Sequence, residues 1–194
     1  TTAEGGLATT QNQKLAESMD LARSHGITRD PTLYKELSQG SWYYEQITLG
    51  FNYRMNDLQA ALGLSQMKRL KEIVDRRTAI AARYDQLLAN LPVQRPIQAP
   101  STGSSWHLYV IQVPQIHHSQ IFDYLKRAGI GVNVHYIPVH TQPYYRRMGF
   151  KLGQFPNAES YYRKSISIPL YFGLTEKDQD QVCATLEQSL FEVT

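Results

Sequence analysis

The 194 residues read as an α/β protein in two parts, and two features of the chain carry that reading. From Pro92 onward, short β-branched and aromatic runs alternate with stretches of helical period in the order β-α-β-α-β-α. Before Pro92, a stretch opening at Asn56 keeps apolar residues on a helical period as far as Leu91, long enough to serve as a spine between domains. Residues 1–91 are therefore expected to form the edge of a large domain ending in a long spine helix, and residues 92–194 a small α/β domain. Neither an internal repeat nor a low-complexity tract is visible.

Residues 7–10 read as a short strand end. Asn12 can cap a helix over 13–24, which stops at Gly26 because glycine accepts the left-handed turn that ends a helix. Residues 28–51 show little periodicity and are punctuated by Pro31, Gly40 and Gly50; a loop this long in a compact domain is functional or disordered. Trp42, Tyr43 and Tyr44 argue for packing within it. Asn56 with Gln59 three residues on forms a capping box, and Leu58, Leu62, Met67, Leu70, Val74, Ala81, Tyr84, Leu88 and Leu91 supply the stripe of the spine helix.

Pro92 ends that helix, and residues 96–105, with Pro100 and Gly103, form a linker. Residues 106–113 have strand composition and 119–128 helical period, closed by Gly129. Residues 132–136 alternate like a second strand, 158–164 form a helix and 165–170 a third strand. Thr175 opens the last helix with Asp178 in its first turn, and Val182, Leu186 and Leu190 give it a buried face.

Formal net charge is +3, and pairs such as Lys68-Arg69, Arg76-Arg77 and Arg146-Arg147 read as solvated helix faces. With Glu72 and Asp75 interleaved, no basic stripe argues for nucleic acid. The single cysteine, Cys183, excludes an internal disulfide and fits a small apolar role in a reducing compartment. No apolar run is long enough to span a bilayer and no charged, apolar leader is evident, so the expectation is a cytoplasmic protein without membrane attachment. Thirteen tyrosines against six phenylalanines suit surfaces that stack on rings while hydrogen-bonding, and equally suit half-buried packing positions.

Functional chemistry is expected just before the Asn56 cap. Asn52 and Arg54 lie in an aromatic-flanked entry loop, where an amide and a guanidinium can face an anion, a phosphate above all, without competing with helical hydrogen bonds. The plainer reading of the same pair is an ordinary turn residue and a surface or salt-bridged arginine. His135 and His140, five residues apart, raise the question of a metal. Pro138 between them, the lack of a third ligand and a spacing foreign to a helix argue for no metal. His25 beside Arg23 reads as a satisfied helix-end residue or a site neighbour.

The run 49–63, LGFNYRMNDLQAALG, resembles that of the DegT/DnrJ/EryC1/StrS sugar aminotransferases, which use pyridoxal phosphate (PLP) and share the fold-type I architecture of aspartate aminotransferase. TTAEGG at 1–6 resembles the family's strand after the cofactor lysine, LARSHGI at 21–27 the next helix end, and GVNVHYIPVHTQPYY at 131–145 its substrate loop. WYYEQ at 42–46, leading into the Asn52 motif, is most similar to the UDP-4-amino-4,6-dideoxy-N-acetyl-β-L-altrosamine transaminases of pseudaminic acid biosynthesis.

The resemblance implies the C-terminal half of a fold-type I PLP-dependent transferase. It would work as a homodimer that aminates a UDP-linked 4-keto-6-deoxy-N-acetylhexosamine with glutamate as donor. It implies that Asn52 binds the PLP phosphate of the opposite subunit, with Arg54 helping there or at a substrate carboxylate or diphosphate. His135, Tyr136, His140 and Gln142 would lie over the nucleotide sugar, and the loop bearing Tyr44 would cross toward the neighbouring active site as a further substrate contact. None of Lys14, Lys35, Lys68, Lys71, Lys126, Lys151, Lys164 or Lys177 falls in the motif of the Schiff-base lysine, which is expected upstream of Thr1. No catalytic residue is therefore assigned within the chain. The alternative is a non-catalytic dimerisation or nucleotide-sugar-binding fragment.

Overall fold

Asn12 holds extended backbone and its Oδ1 accepts the Leu15 N–H at 3.2 Å, which starts helix α1 (Gln13–Arg23) as its sequence predicts. The computed structural model describes residues 1–193 and divides into two compact units, Thr1–Leu70 and Lys71–Thr194. The expected boundary at Leu91 moves to Leu70 because Ile80, Ala81, Tyr84 and Leu88 are buried in the core of the second unit.

In the first unit α1 ends where His25 and Gly26 take left-handed backbone, φ +64° and +69°, and the Gly26 N–H donates to Leu21 O at 2.8 Å. The chain then enters β1 (Ile27–Thr28), which pairs antiparallel with β2 (Glu45–Gln46), Ile27 opposite Gln46 and Thr28 opposite Glu45. The segment expected to be an unstructured loop is thus a closed excursion. Glu45 staples it: its carboxylate accepts the Lys35 and Glu36 N–H groups at 2.7 and 2.8 Å and the Tyr43 hydroxyl at 3.0 Å. Those donors, Lys35 first, hold the Glu45 carboxyl below its ordinary pKa. Residues 7–10, expected as a strand end, form no ladder among the described residues.

The capping box forms as expected: Asn56 Oδ1 accepts the Gln59 N–H at 2.9 Å, and Gln59 Oε1 accepts the Asn56 N–H at 3.3 Å. The spine helix, however, is two helices, α2 (Asp57–Lys68) and α3 (Leu70–Leu87). They part at Arg69, whose N–H turns back to Gln66 O, three residues away rather than four. Burial explains why the stripe does not read through: α2 buries no residue, whereas α3 buries Ile80, Ala81 and Tyr84.

In the second unit, β3 (Tyr109–Gln112) is followed by α4 (His118–Arg127), α5 (Pro143–Arg147), α6 (Pro156–Tyr162), β4 (Ser165–Ile168) and α7 (Glu176–Val193). Strands β3 and β4 pair antiparallel with Tyr109 opposite Ile168 and Ile111 opposite Ile166. Gln94 adds one bridge on the far side of β3 and Asn133 one on the far side of β4. The strand expected over 132–136 is reduced to that Asn133 bridge, because the chain turns away after one exchanged pair and the His135 ring, not its backbone, comes back to Ser167.

The core joins Ile80, Tyr84 and Leu88 of α3, Tyr109 and Ile111 of β3, Ile121 and Leu125 of α4, Ile166 of β4, and Val182, Leu186 and Leu190 of α7. Cys183 is buried with them, and burial pushes its thiol up to about 11. Arg76 and Arg77, expected on a solvated face, are half-buried and spend their guanidinium donors on loop carbonyls, Leu174 O at 2.6 Å and Trp106 O at 2.8 Å. Among the described residues no helix is long and apolar enough to cross a membrane.

These contacts set the expected costs of two substitutions. Leu186→Ala, at a fully buried site, should lower the free energy of unfolding by about 2–5 kcal/mol. Tyr84→Phe should lower it by about 1 kcal/mol, since it loses only the hydroxyl bond to Pro169 O at 2.9 Å. Denaturant titration of both variants against the unsubstituted chain checks this order.

Candidate functional site

In the first unit, residues 47–53 run along the end of α1 at backbone distance. The Phe51 N–H donates to Ala22 O at 2.6 Å, the Tyr53 N–H to Arg23 O at 2.9 Å and the Ile47 N–H to Gly26 O at 2.9 Å, while the His25 N–H donates to Phe51 O at 2.8 Å. Only glycine permits this approach at two positions. A Cβ on Gly26 would collide with Thr48 O and lie 2.7 Å from Thr48 C; one on Gly50 would meet Gly26 N and lie 2.6 Å from His25 C. His25 serves this turn through its backbone, with its carbonyl accepting from Gln46 Nε2 at 2.8 Å.

With the backbone committed, the side chains of Asn52 and Arg54 remain at the surface. Asn52 Oδ1 accepts from Arg54 Nε at 3.2 Å. That bond engages one lone pair of the amide oxygen and turns it to the guanidinium, so the donors the pair leaves unengaged are the Asn52 NH2 and the two terminal guanidinium nitrogens. No carboxylate pairs with Arg54 among the described residues. A donor-rich cluster suits a polyanionic oxygen group such as a phosphate. Phe51 and Tyr53 stack at 4.8 Å between ring centroids beside it. Tyr44 is half-exposed, with the Arg29 guanidinium 5.6 Å over its ring.

In the second unit the segment 133–142 separates residues that the sequence had grouped. Tyr136 is 71% exposed, and Gln142 is exposed between the 3₁₀ turn Val139–Thr141 and α5, its side chain making no capping bond. His135 is half-buried at the edge of the β3–β4 sheet, Nδ1 lying 2.7 Å from Ser167 Oγ. His140, which the resemblance would set over the nucleotide sugar, is placed differently from Tyr136. It is buried, with Nε2 2.9 Å from Glu159 Oε1 and the Phe155 ring 4.7 Å away, so it braces the segment from beneath.

Glu159 gathers the surrounding chain. Its Oε1 also accepts the Gly153 N–H at 2.7 Å, and Arg163 lies 3.8 Å from Oε2. The His140 hydrogen bond, with the Gly153 N–H after it, holds the carboxyl below its ordinary value of 4.5. Sequence reasoning missed Glu159, Asn133 and Ser167. Glu159 read only as a helix residue, and nothing local signals a partner 19 residues away.

The DegT/DnrJ/EryC1/StrS aminotransferase family model matches residues 1–187. The spore coat polysaccharide biosynthesis protein SpsC of Bacillus subtilis is 40% identical over 188 residues, which cover 93% of this chain and 48% of that protein. A putative sugar aminotransferase, Spr1654 of Streptococcus pneumoniae in its PMP form, superposes with a TM-score of 0.86 at 28% identity over 100% of this chain and 51% of that one. Helicobacter pylori PseC, an aminotransferase involved in pseudaminic acid biosynthesis, does so with a TM-score of 0.79 at 28% identity, over 95% and 48%. The mixed α/β structure is thus a fragment of the PLP-dependent sugar aminotransferase fold, and the chain spans about half the length of the curated relatives it matches.

The Glu159 bonds give a pH dependence of definite sign. Because the folded carboxyl titrates below its unfolded value, its stabilising contribution is complete above that unfolded value and is lost as pH falls through the folded one. Hydrogen exchange at the Gly153 amide should stay protected at pH 5 and lose protection only below pH 4.5, and Glu159→Gln should remove that acid step. Protection that fades between pH 7 and 6 would assign the step to another group.

Proposed function

The chain belongs to the DegT/DnrJ/EryC1/StrS aminotransferase family, and from this we propose that it supplies the phosphate-anchoring and sugar-facing half of a nucleotide-sugar aminotransferase. In this reading glutamate donates the amino group and a UDP-linked 4-keto-6-deoxy-N-acetylhexosamine accepts it, in a pathway of pseudaminic acid or a related surface polysaccharide. The resemblance at 42–46 and the similarity to PseC and SpsC support that choice of pathway. The enzyme would act as a cytoplasmic homodimer.

The observation that carries the proposal is the donor-rich pair at Asn52 and Arg54, in a segment held by backbone bonds to the end of α1. Its chemistry fits a phosphate monoester, which presents acceptor oxygens and no proton that it must give. PLP bound to the complete enzyme supplies the electron sink for the carbanion chemistry of transamination. The chain's own part is positional. Arg54 orients the Asn52 amide, and the two then hold the phosphate presented by the partner subunit, so a complete site needs two chains. Tyr136 and Gln142 offer exposed hydrogen-bonding groups toward the nucleotide sugar, while Tyr44, in the excursion between β1 and β2, would serve the neighbouring subunit's active site. His140, turned inward onto Glu159, fixes the height of the segment that bears His135 and Tyr136.

The test is Asn52→Ala in the full-length enzyme. Loss of a hydrogen bond to a charged group removes about 1.5–3 kcal/mol, so the Kd for PLP should rise by about tenfold to a hundredfold. Mixing Asn52→Ala subunits with subunits lacking the cofactor lysine should place the defect on the cofactor of the opposite protomer. Unchanged cofactor affinity, or failure to aminate a UDP-linked 4-keto sugar with glutamate, would refute the proposal.

A further inference from the structure

Asn133 and Ser167 exchange both backbone hydrogen bonds across the edge of β4: the Asn133 N–H donates to Ser167 O at 3.2 Å and the Ser167 N–H to Asn133 O at 2.8 Å. Their side chains are therefore set by the sheet, and the His135 ring lies between them. Nδ1 is 2.7 Å from Ser167 Oγ, and Nε2 is 3.3 Å from Asn133 Nδ2. A third bond orients the amide, because Asn133 Oδ1 accepts the Val134 N–H at 2.8 Å. With its oxygen turned to the backbone, the amide presents NH2 to the ring.

An amide nitrogen only donates, so the ring nitrogen facing it must accept. The imidazole proton then resides on Nδ1 and is donated to Ser167 Oγ, which is buried and held in the ladder. Any ring carrying a proton on Nε2 would set donor against donor.

We infer that Asn133 and Ser167 are positioning residues that lock His135 in the Nδ1–H tautomer, so that its Nε2 accepts a hydrogen bond from a sugar hydroxyl of the substrate rather than donating to the diphosphate. This deepens the function proposed above and rests on it. A diphosphate oxygen brings lone pairs and would be repelled by the lone pair of Nε2, whereas a hydroxyl brings the proton that Nε2 lacks. The Asn133 contact at 3.3 Å is long for a hydrogen bond, so a hydroxyl can take the Nε2 lone pair at little cost. Tyr136 packs edge-on to the His135 ring at 4.5 Å while remaining largely exposed, which puts an aromatic surface beside the accepting nitrogen. The pair Asn133 and Ser167 thereby selects which portion of a nucleotide sugar His135 reads.

Two measurements on the full-length enzyme test this. Long-range ¹H–¹⁵N correlation spectra of histidine-labelled protein should show His135 protonated at Nδ1 with an unprotonated Nε2; protonation at Nε2 overturns the inference whatever the enzyme's activity. Binding titrations with UDP-N-acetylglucosamine and with UDP alone then compare Asn133→Asp, which replaces the amide donor by an acceptor, with the unsubstituted enzyme. The variant should shift the ring proton to Nε2 and weaken UDP-N-acetylglucosamine about tenfold, leaving UDP unchanged. Ser167→Ala should weaken the sugar nucleotide in the same selective way, and Ser167→Thr, which keeps the hydroxyl, should restore it. Equal weakening of both ligands, or of neither, overturns the acceptor role. An enzyme with the Nδ1–H ring that binds the sugar nucleotide selectively yet transfers no amino group would instead refute the proposed reaction and leave the tautomer lock standing.

Discussion

Backbone contact between the end of α1 and residues 47–53 decides where the first unit's donors can point. Four main-chain bonds lie within a few residues of one another, and glycines 26 and 50 stand where any side chain would strike main-chain atoms. Main-chain obstacles do not yield to a rotamer change, so the approach is all or nothing. Because the backbone of Phe51 and Tyr53 is spent on α1, Asn52 between them and Arg54 after them face outward and bond to each other. The capping box at Asn56 then turns the chain into α2 directly beyond. The phosphate role proposed for the pair rests on this arrangement: the Asn52 oxygen is turned to Arg54, and the remaining amide and guanidinium N–H groups are donors.

The second unit handles polarity in a complementary way. Its core of α3, α4, α7 and the β3–β4 pair is apolar, and half-buried arginines at 76 and 77 satisfy the loop carbonyls around it. On this base the segment 133–142 carries two histidines with opposite assignments. His140 is buried beneath the segment on Glu159, which also ties Gly153. His135 stays at the sheet edge with both ring nitrogens oriented by neighbours. One histidine lies beneath the segment and the other at the sheet edge.

The features that could be read from the sequence are those whose physics is local. Asn12, the Asn56–Gln59 box and the Thr175–Asp178 pair cap helices within four residues, Gly129 takes the left-handed turn after α4, and Val182, Leu186 and Leu190 repeat at helical spacing on a buried face. Unreadable features depend on partners distant in sequence. Strands β1 and β2 are two residues each, too short to show alternation, and their excursion is held by Glu45 reaching back about ten residues. The apolar stripe runs past Arg69 although the helix does not, since apolar spacing reports a face and not whether anything covers it. Residues 132–136 alternate like a strand yet contribute one bridge. Family resemblance pointed to Asn52 and to the 131–145 segment, but spacing alone could not separate the half-buried His135 from the buried His140, because Glu159 and Ser167 choose between them.

The most direct test of the central claim is a thermodynamic cycle on the PLP dissociation constant of the full-length enzyme, with Gly26→Ala and Asn52→Ala combined. If the glycine-permitted contact acts by placing the amide, Gly26→Ala should weaken the cofactor about tenfold in the unsubstituted background and change nothing once Asn52 is alanine, since residues serving one interaction are not additive. Losses that simply add, in folded variants, would show that the contact and the phosphate grip are independent and would contradict the account.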